Sequence, residues 1–257
     1  MTAAGSLERW SARSDDEREQ LAARLTAELG PGWDARGLRE WRCGDQRHTL
    51  AGWRHPRTGL DFHLIPGGAH RVYEGFISED AAARTVGPFL LATEPVSQAL
   101  WDRVLEGEAD SDARSRRDPE LPIDGITQAG VARFLERLGD GLRLPSAQEW
   151  DHAAWSGAGT RFPWGPDPDP RCQWSADNAA GETRPAALHR DAPNAFGLID
   201  MIGNIWELCG DGLASGGCCA SHPYAMDLRA ELPAPGRPAF IGLRLARSVP
   251  EALFDHA

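Results

Sequence analysis

From Ser156 onward this chain is cut so often by glycine and proline that few windows hold a regular period; "SGAGTRFPWGPDPDPRCQWSADNAAGETRP" is representative. That feature constrains the fold more than any other. A long region with little helix or strand must still pair its buried N–H and C=O groups, through turns, side chains, water or ions. Ten tryptophans in a chain of 257 residues supply packing area that regular elements would otherwise provide. The expectation is an α+β domain of low regular secondary structure, whose ordered elements lie before residue 156.

Those earlier segments carry clear periods. Residues 6–29 combine strong helix formers with Leu21, Leu25 and Leu29 on one stripe, which predicts one helix. From Gly52, "GWRHPRTGLDFHLIPGG" predicts a hairpin in which Leu60, Phe62 and Leu64 alternate with polar residues. "PVSQALWDRVLEG" and "TQAGVARFLERLGDG" predict two short amphipathic helices, and "PSAQEWDHAAW" opens a third with Ser146 and Glu149 as its capping box. Between the first two, "EGEADSDARSRRDPELP" predicts an exposed loop.

Charge and cysteine usage exclude several classes of function. A formal charge of −11 argues against a nucleic-acid partner, because phosphate binding needs a basic face that releases counterions. No apolar run is long enough to span a membrane, and "MTAAGSLERWSARSDDERE" lacks a secretory pattern. Five cysteines, an odd number at irregular spacing, suit reduced thiols and a cytoplasmic location.

Several stretches then converge on one family. "RLPSAQEWDHAAWSGAGTRFPWG", "PNAFGLIDMIGNIWELCGD", Gly216–Gly217 and "FIGLRLARS" occur in an order and spacing that resemble the formylglycine-generating enzymes, or sulfatase-modifying factors. "TGLDFHLIPGG" and "FLLATEPVSQALWDRV" resemble that family's opening hairpin and its E-V-T segment. The resemblance covers roughly residues 50–248 and implies an elaborated C-type-lectin-like α+β fold. It divides the chain into an N-terminal helical extension, residues 1–48, and a family-like domain, residues 49–257. It also implies burial of Trp150, Trp164, Phe196, Leu198, Ile205, Trp206 and Leu243.

Two sets of candidate site residues follow. Asp200 and Glu207 carry hard oxygen donors around a Gly-Asn turn, and the carbonyls of Gly203 and Ile205 can point inward, the ligand type calcium prefers. The resemblance implies a structural calcium there; the alternative is that both carboxylates accept hydrogen bonds with no ion. A second family calcium position matches Asn178, but the loop that would complete it is shortened to "AGE" before Thr183.

The family's chemistry, by the same resemblance, belongs to two cysteines that hold copper(I) as thiolates. Counting from Gly216, those positions are Ser221 and Met226, so no catalytic residue is assigned and copper is not expected. Cys218 and Cys219 are neighbours, which on an extended strand predicts one buried and one surface-facing thiol. With Ser221, His222, Tyr224 and Met226 they form the expected surface for a protein partner or small ligand. No histidine spacing matches the iron site of the related sulfoxide synthases, and His152 reads as a core residue on its helix. The functional expectation is a non-catalytic binding or regulatory module engaging a partner through residues 216–240. The alternatives are an oxygen-dependent oxidase with an altered metal site and a retroelement-diversified display protein.

Overall fold

A computed structural model describes residues 5–70, 84–106, 116–225, 230–231 and 239–254. Two helices open the chain, α1 (Leu7–Ala12) and α2 (Asp15–Leu29). The single helix expected over residues 6–29 is thus broken. Ser14 takes an extended conformation and makes a reciprocal capping box with Glu17, which starts α2 afresh. The stripe of Leu21, Leu25 and Leu29 is buried as its period required.

The next segment is strand rather than helix. β1 (Asp34–Cys43) and β2 (Gln46–Arg54) pair antiparallel, followed by β3 (Asp61–Ile65), the hairpin arms β4 (Gly68–His70) and β5 (Arg84–Val86), and β6 (Phe89–Ala92). The boundary placed between residues 48 and 49 falls inside β2, where Trp41↔His48 and Glu40↔Thr49 are consecutive ladder pairs. The hairpin expected from Gly52 forms with Trp53 opposite Phe62, and its turn closes through Gly59 N–H to His55 O at 2.9 Å.

Three helices then cover the sheet. α3 (Gln98–Leu105), α4 (Gln128–Leu138) and α5 (Ala147–Trp155) start at Ser97, Thr127 and Ser146, each of whose hydroxyls accepts a first-turn N–H. α3 and α4 meet through Trp101 stacked on Phe134, centroids 4.8 Å apart. Of the loop expected between them, Arg116 and Arg117 are exposed, and residues 107–115 lie outside the described residues. β7 (Leu142–Arg143) follows α4.

The remainder is irregular, as the glycine and proline density required. It contributes β8 (Trp206–Leu208), β9 (Leu213–Ser215), β10 (Ala230–Glu231), β11 (Ile241–Leu243) and β12 (Ala246–Ser248). The large sheet runs β1-β2-β3-β6-β12-β7, entirely antiparallel, and the small one runs β10-β9-β8-β11, with β8 and β11 parallel. β12 therefore inserts between β6 and β7 and stitches the end of the chain into the first sheet.

Trp10, Trp53, Trp101 and Trp150 are fully buried, and two of them tie the N-terminal helices to the sheet. Trp10 donates to Thr49 O at 2.7 Å and Trp53 donates to Thr26 Oγ1 at 2.8 Å. Phe196, Leu198, Ile205 and Leu243 are buried as expected. Trp164 and Trp206 are only half-buried against the core. Strand alternation explains Trp206, because β8 turns Glu207 inward and leaves the preceding residue on the opposite face. Trp164 instead stacks on Phe162 at 5.4 Å and spends its N–H on Asp167 O at 2.9 Å. Among the described residues no helix is long and apolar enough to cross a membrane.

Candidate functional site

The segment "PNAFGLIDMIGNIWELCGD" is assembled by its own side chains. Asn194 donates to Ala153 O and Ala154 O at the end of α5 and accepts the N–H groups of Phe196 and Leu198. Asn204, in the left-handed region at φ 65, donates to Arg184 O at 2.8 Å and accepts Arg184 N–H at 2.9 Å. The glycine between these anchors is obligatory: Gly203 has φ +87, and a Cβ there would lie 2.3 Å from Trp174 O.

The two expected calcium carboxylates are both buried and have different partners. Glu207, fully buried, forms a fork with Arg244, whose Nη2 lies 2.7 Å from Oε1 and Nε 2.9 Å from Oε2; the Trp150 N–H donates to Oε2 at 2.6 Å. Arg244, equally buried, spends its remaining donors on Ala92 O at 3.0 Å and Ile199 O at 2.8 Å. Asp200 Oδ1 meets His189 Nδ1 at 2.6 Å and its Oδ2 accepts from Asn204 at 2.9 Å. The Gly203 carbonyl accepts the Ile205 N–H.

This donor set does not fit a calcium held between Asp200 and Glu207. All four carboxylate oxygens already engage protein donors, and the guanidinium of Arg244 supplies the positive charge beside Glu207. Among the described residues no group of three or more His, Cys, Asp or Glu converges as a metal site. Asn178 is likewise committed to its own turn, accepting Ser175 N–H at 2.7 Å and donating to Gln173 O at 2.9 Å.

The second candidate set lies in a turn, not a strand. Ser221 N–H closes on Cys218 O at 2.9 Å, and Cys218 N–H donates to Ser221 Oγ at 3.0 Å. Because the backbone turns here, both thiols face inward; Cys218 is 6% and Cys219 0% exposed. The expectation of one buried and one surface-facing cysteine rested on an extended backbone that is absent. The Cys219 thiol donates to Cys218 and draws it down to about 6, helped by the Ser221 hydroxyl and the N–H groups of Ala220 and Ser221, against burial. The same bond, with burial, holds the Cys219 thiol protonated.

The outer layer of this turn is His222 and Tyr224, both exposed, with Ser221 half-buried. Tyr224 donates to Asp167 at 3.0 Å, and Arg161 lies over its ring at 5.0 Å while donating to its carbonyl. Met226 lies outside the described residues. His152 is a core residue as expected, 3% exposed and bonded through Nε2 to Pro66 O at 2.8 Å.

Sequence reasoning missed Arg244 and His189, which complete the inner network. Arg244 left a signal: a charge between Leu243 and Leu245 in an otherwise apolar run calls for a buried acid, and "WEL" offers one.

An α+β scaffold of one large sheet and two smaller ones, with an irregular C-terminal half locked by an internal ion pair, is the class of protein this geometry defines. Residues 52–249 match the sulfatase-modifying factor enzyme 1-like domain, and the chain belongs to that family. A formylglycine-generating enzyme of Streptomyces coelicolor is 35% identical over 130 residues, covering 45% of this chain and 39% of that protein. An inactive C-alpha-formylglycine-generating enzyme 2 of Mus musculus is 27% identical over 147 residues, covering 53% and 46%. The chain thus matches less than half the length of these curated relatives. The solved structure of Treponema denticola variable protein 1 shares the fold, with a TM-score of 0.59 at 18% identity over 82% of this chain and 98% of that one.

Proposed function

We propose that this chain is a non-catalytic binding or regulatory module on a sulfatase-modifying-factor scaffold, engaging a protein partner through the surface of residues 216–240. One observation carries the reading: the positions that the family resemblance assigns to the two copper-binding thiolates are Ser221 and Met226. A hydroxyl does not select copper(I), and a thioether carries no charge to replace a thiolate. The similarity to a relative named inactive supports the same direction. His222 and Tyr224, exposed above a turn whose thiols are internal, are the side chains such a partner would meet. Five free cysteines support a reducing, cytoplasmic compartment as part of the same reading.

The test is an anaerobic copper(I) titration against a chromophoric chelator, followed by oxygen uptake with a cysteine-containing peptide. The module reading expects neither stoichiometric copper nor oxygen uptake. Tight one-to-one binding, lost in Cys218→Ala or Cys219→Ala and accompanied by oxygen consumption, would make the protein an oxidase with a relocated metal site.

A further inference from the structure

A cavity of about 380 Å³ lies where β1 and β2 meet the loop after β6 and the irregular segment around Arg190 and Gly197, and no residue of the 216–240 surface lines it. Its charge is unlike the rest of the chain. Arg36, Arg39, Arg54 and Arg190 face Asp61 and Glu94, an excess of two positive charges in a protein of formal charge −11. Arg54 forks onto Asp61 at 2.9 and 3.0 Å, which saturates that carboxylate; Arg36 lies 3.6 Å from it and 3.1 Å from Asp34. Arg190 is 3.9 Å from Glu94 and 69% exposed, so its fork is only loosely engaged. Arg39 has no carboxylate partner among the described residues; its guanidinium lies 3.9 Å above the Trp41 ring, which holds it flat at the mouth of the cavity.

The same sheet offers an acceptor beside Trp41, whose ring lies 5.1 Å from that of His63. His63 is 8% exposed, and its Nδ1–H donates to Phe196 O at 2.8 Å, which leaves the lone pair on Nε2. Burial lowers its pKa, so the ring is neutral. Nε2 has no hydrogen-bond partner among the described residues. Two glycines keep this ring clear: a Cβ on Gly197 would lie 2.6 Å from both His63 Cε1 and Trp41 Cε2, and one on Gly52 would lie 3.1 Å from His63 Cδ2. A buried imidazole with one satisfied edge and one bare acceptor, lining the same cavity as a guanidinium with no carboxylate partner, is a site with a polarity already built in.

We propose that this cavity binds a small organic oxyanion, a carboxylate or a phosphate ester, held by the Arg39 and Arg190 guanidiniums, with an O–H or N–H of the ligand donating to His63 Nε2. Planar forks of donors match such oxyanions two bonds at a time. Arg39 and Trp41 precede the region that matches the family, whereas His63, Arg190 and Gly197 lie within it. The N-terminal hairpin therefore adds a binding wall to the scaffold as well as covering it.

Isothermal titration of the full chain at pH 7.5 tests this, with citrate as the carboxylate probe, glycerol 3-phosphate as the phosphate-ester probe and matched sodium chloride as control. Saturable binding of one probe is expected, weakened at least tenfold in Arg39→Ala, a solvent-exposed substitution that leaves the core untouched. On binding, the His63 Nε2 nitrogen resonance should move while that of the sequestered His152 stays in place. Absence of saturable binding by both probes, or binding that Arg39→Ala and Arg190→Ala leave unchanged, overturns the proposal. Because the copper titration reads a different set of residues, either result leaves the non-catalytic reading of the 216–240 surface to stand or fall alone.

Discussion

Arg244, Glu207 and Trp150 set the energetics of the irregular half at the level of single side chains. An uncompensated charge in a fully buried position is costly, so Arg244→Met should destabilise the protein by about 3–5 kcal/mol. Adding Glu207→Met should restore a large part of that loss, since replacing both partners with apolar groups avoids the stranded charge. Urea unfolding of the two variants measures both effects; equal stability of the wild type and Arg244→Met would dismiss the pair as a structural element. Sequence inspection marked Glu207 but not Arg244, because 37 positions separate them and nothing local joins β8 to the residue after β11. Cys218 makes a second residue-level expectation. Its thiol is drawn down by Cys219, so the pH midpoint of its iodoacetamide alkylation, slow because the thiol is internal, should lie well below those of Cys43, pushed up to about 11 by burial, and Cys172, pushed up to about 12 by the same cause. Peptide mass spectra over a pH series read these midpoints directly, and a midpoint for Cys218 no lower than those of Cys43 and Cys172 would contradict the stabilisation of its thiolate by Cys219.

At the scale of elements, caps decided where helices begin, and caps are legible when they interrupt a period. Ser146 and Glu149 were readable because a proline precedes them and an apolar pattern follows. Ser14 and Glu17 were hidden inside an unbroken run of helix formers, although their chemistry is the same. The strand β1 was also hidden, since its burial pattern is mostly exposed and offers no apolar alternation to detect. The segment from Asp200 to Glu207 was legible as scaffold, yet its partners were not, since they arrive from α5, from the loop holding His189 and from the end of β11. Those partners predict how the segment answers to calcium. With both carboxylates spent on His189, Asn204, Trp150 and Arg244, the melting temperature should be the same in millimolar calcium and in chelator. An upward shift with calcium that is lost in Asp200→Asn would show that the ion displaces these bonds.

The whole molecule is sewn together by histidines that cross between layers, and this makes its stability depend on pH in a definite sense. His48 on β2 bonds Ser156 O after α5, His55 in the first hairpin turn bonds Asp140 after α4, His63 on β3 bonds Phe196 O, and His152 on α5 bonds Pro66 O. Burial is the largest influence on each and lowers all four below the ordinary value of 6.5. The unfolded chain therefore takes up protons first as pH falls through that value, while the folded chain keeps these rings neutral. More protons bound in the unfolded state means stability that rises with pH, present above 6.5 and lost progressively below it until the folded values are reached. His63 and His152 alone would together give a limiting slope of about 2.7 kcal/mol per pH unit. The urea midpoint should accordingly be level between pH 7 and 8 and fall steeply from pH 6.5 to 5. His152→Gln, whose amide can still donate towards Pro66 O, should start from a lower plateau but lose stability less steeply with acid. A midpoint that stays level down to pH 5 would mean that these rings are protonated within the fold, and that the layers are joined by cations rather than by neutral donors.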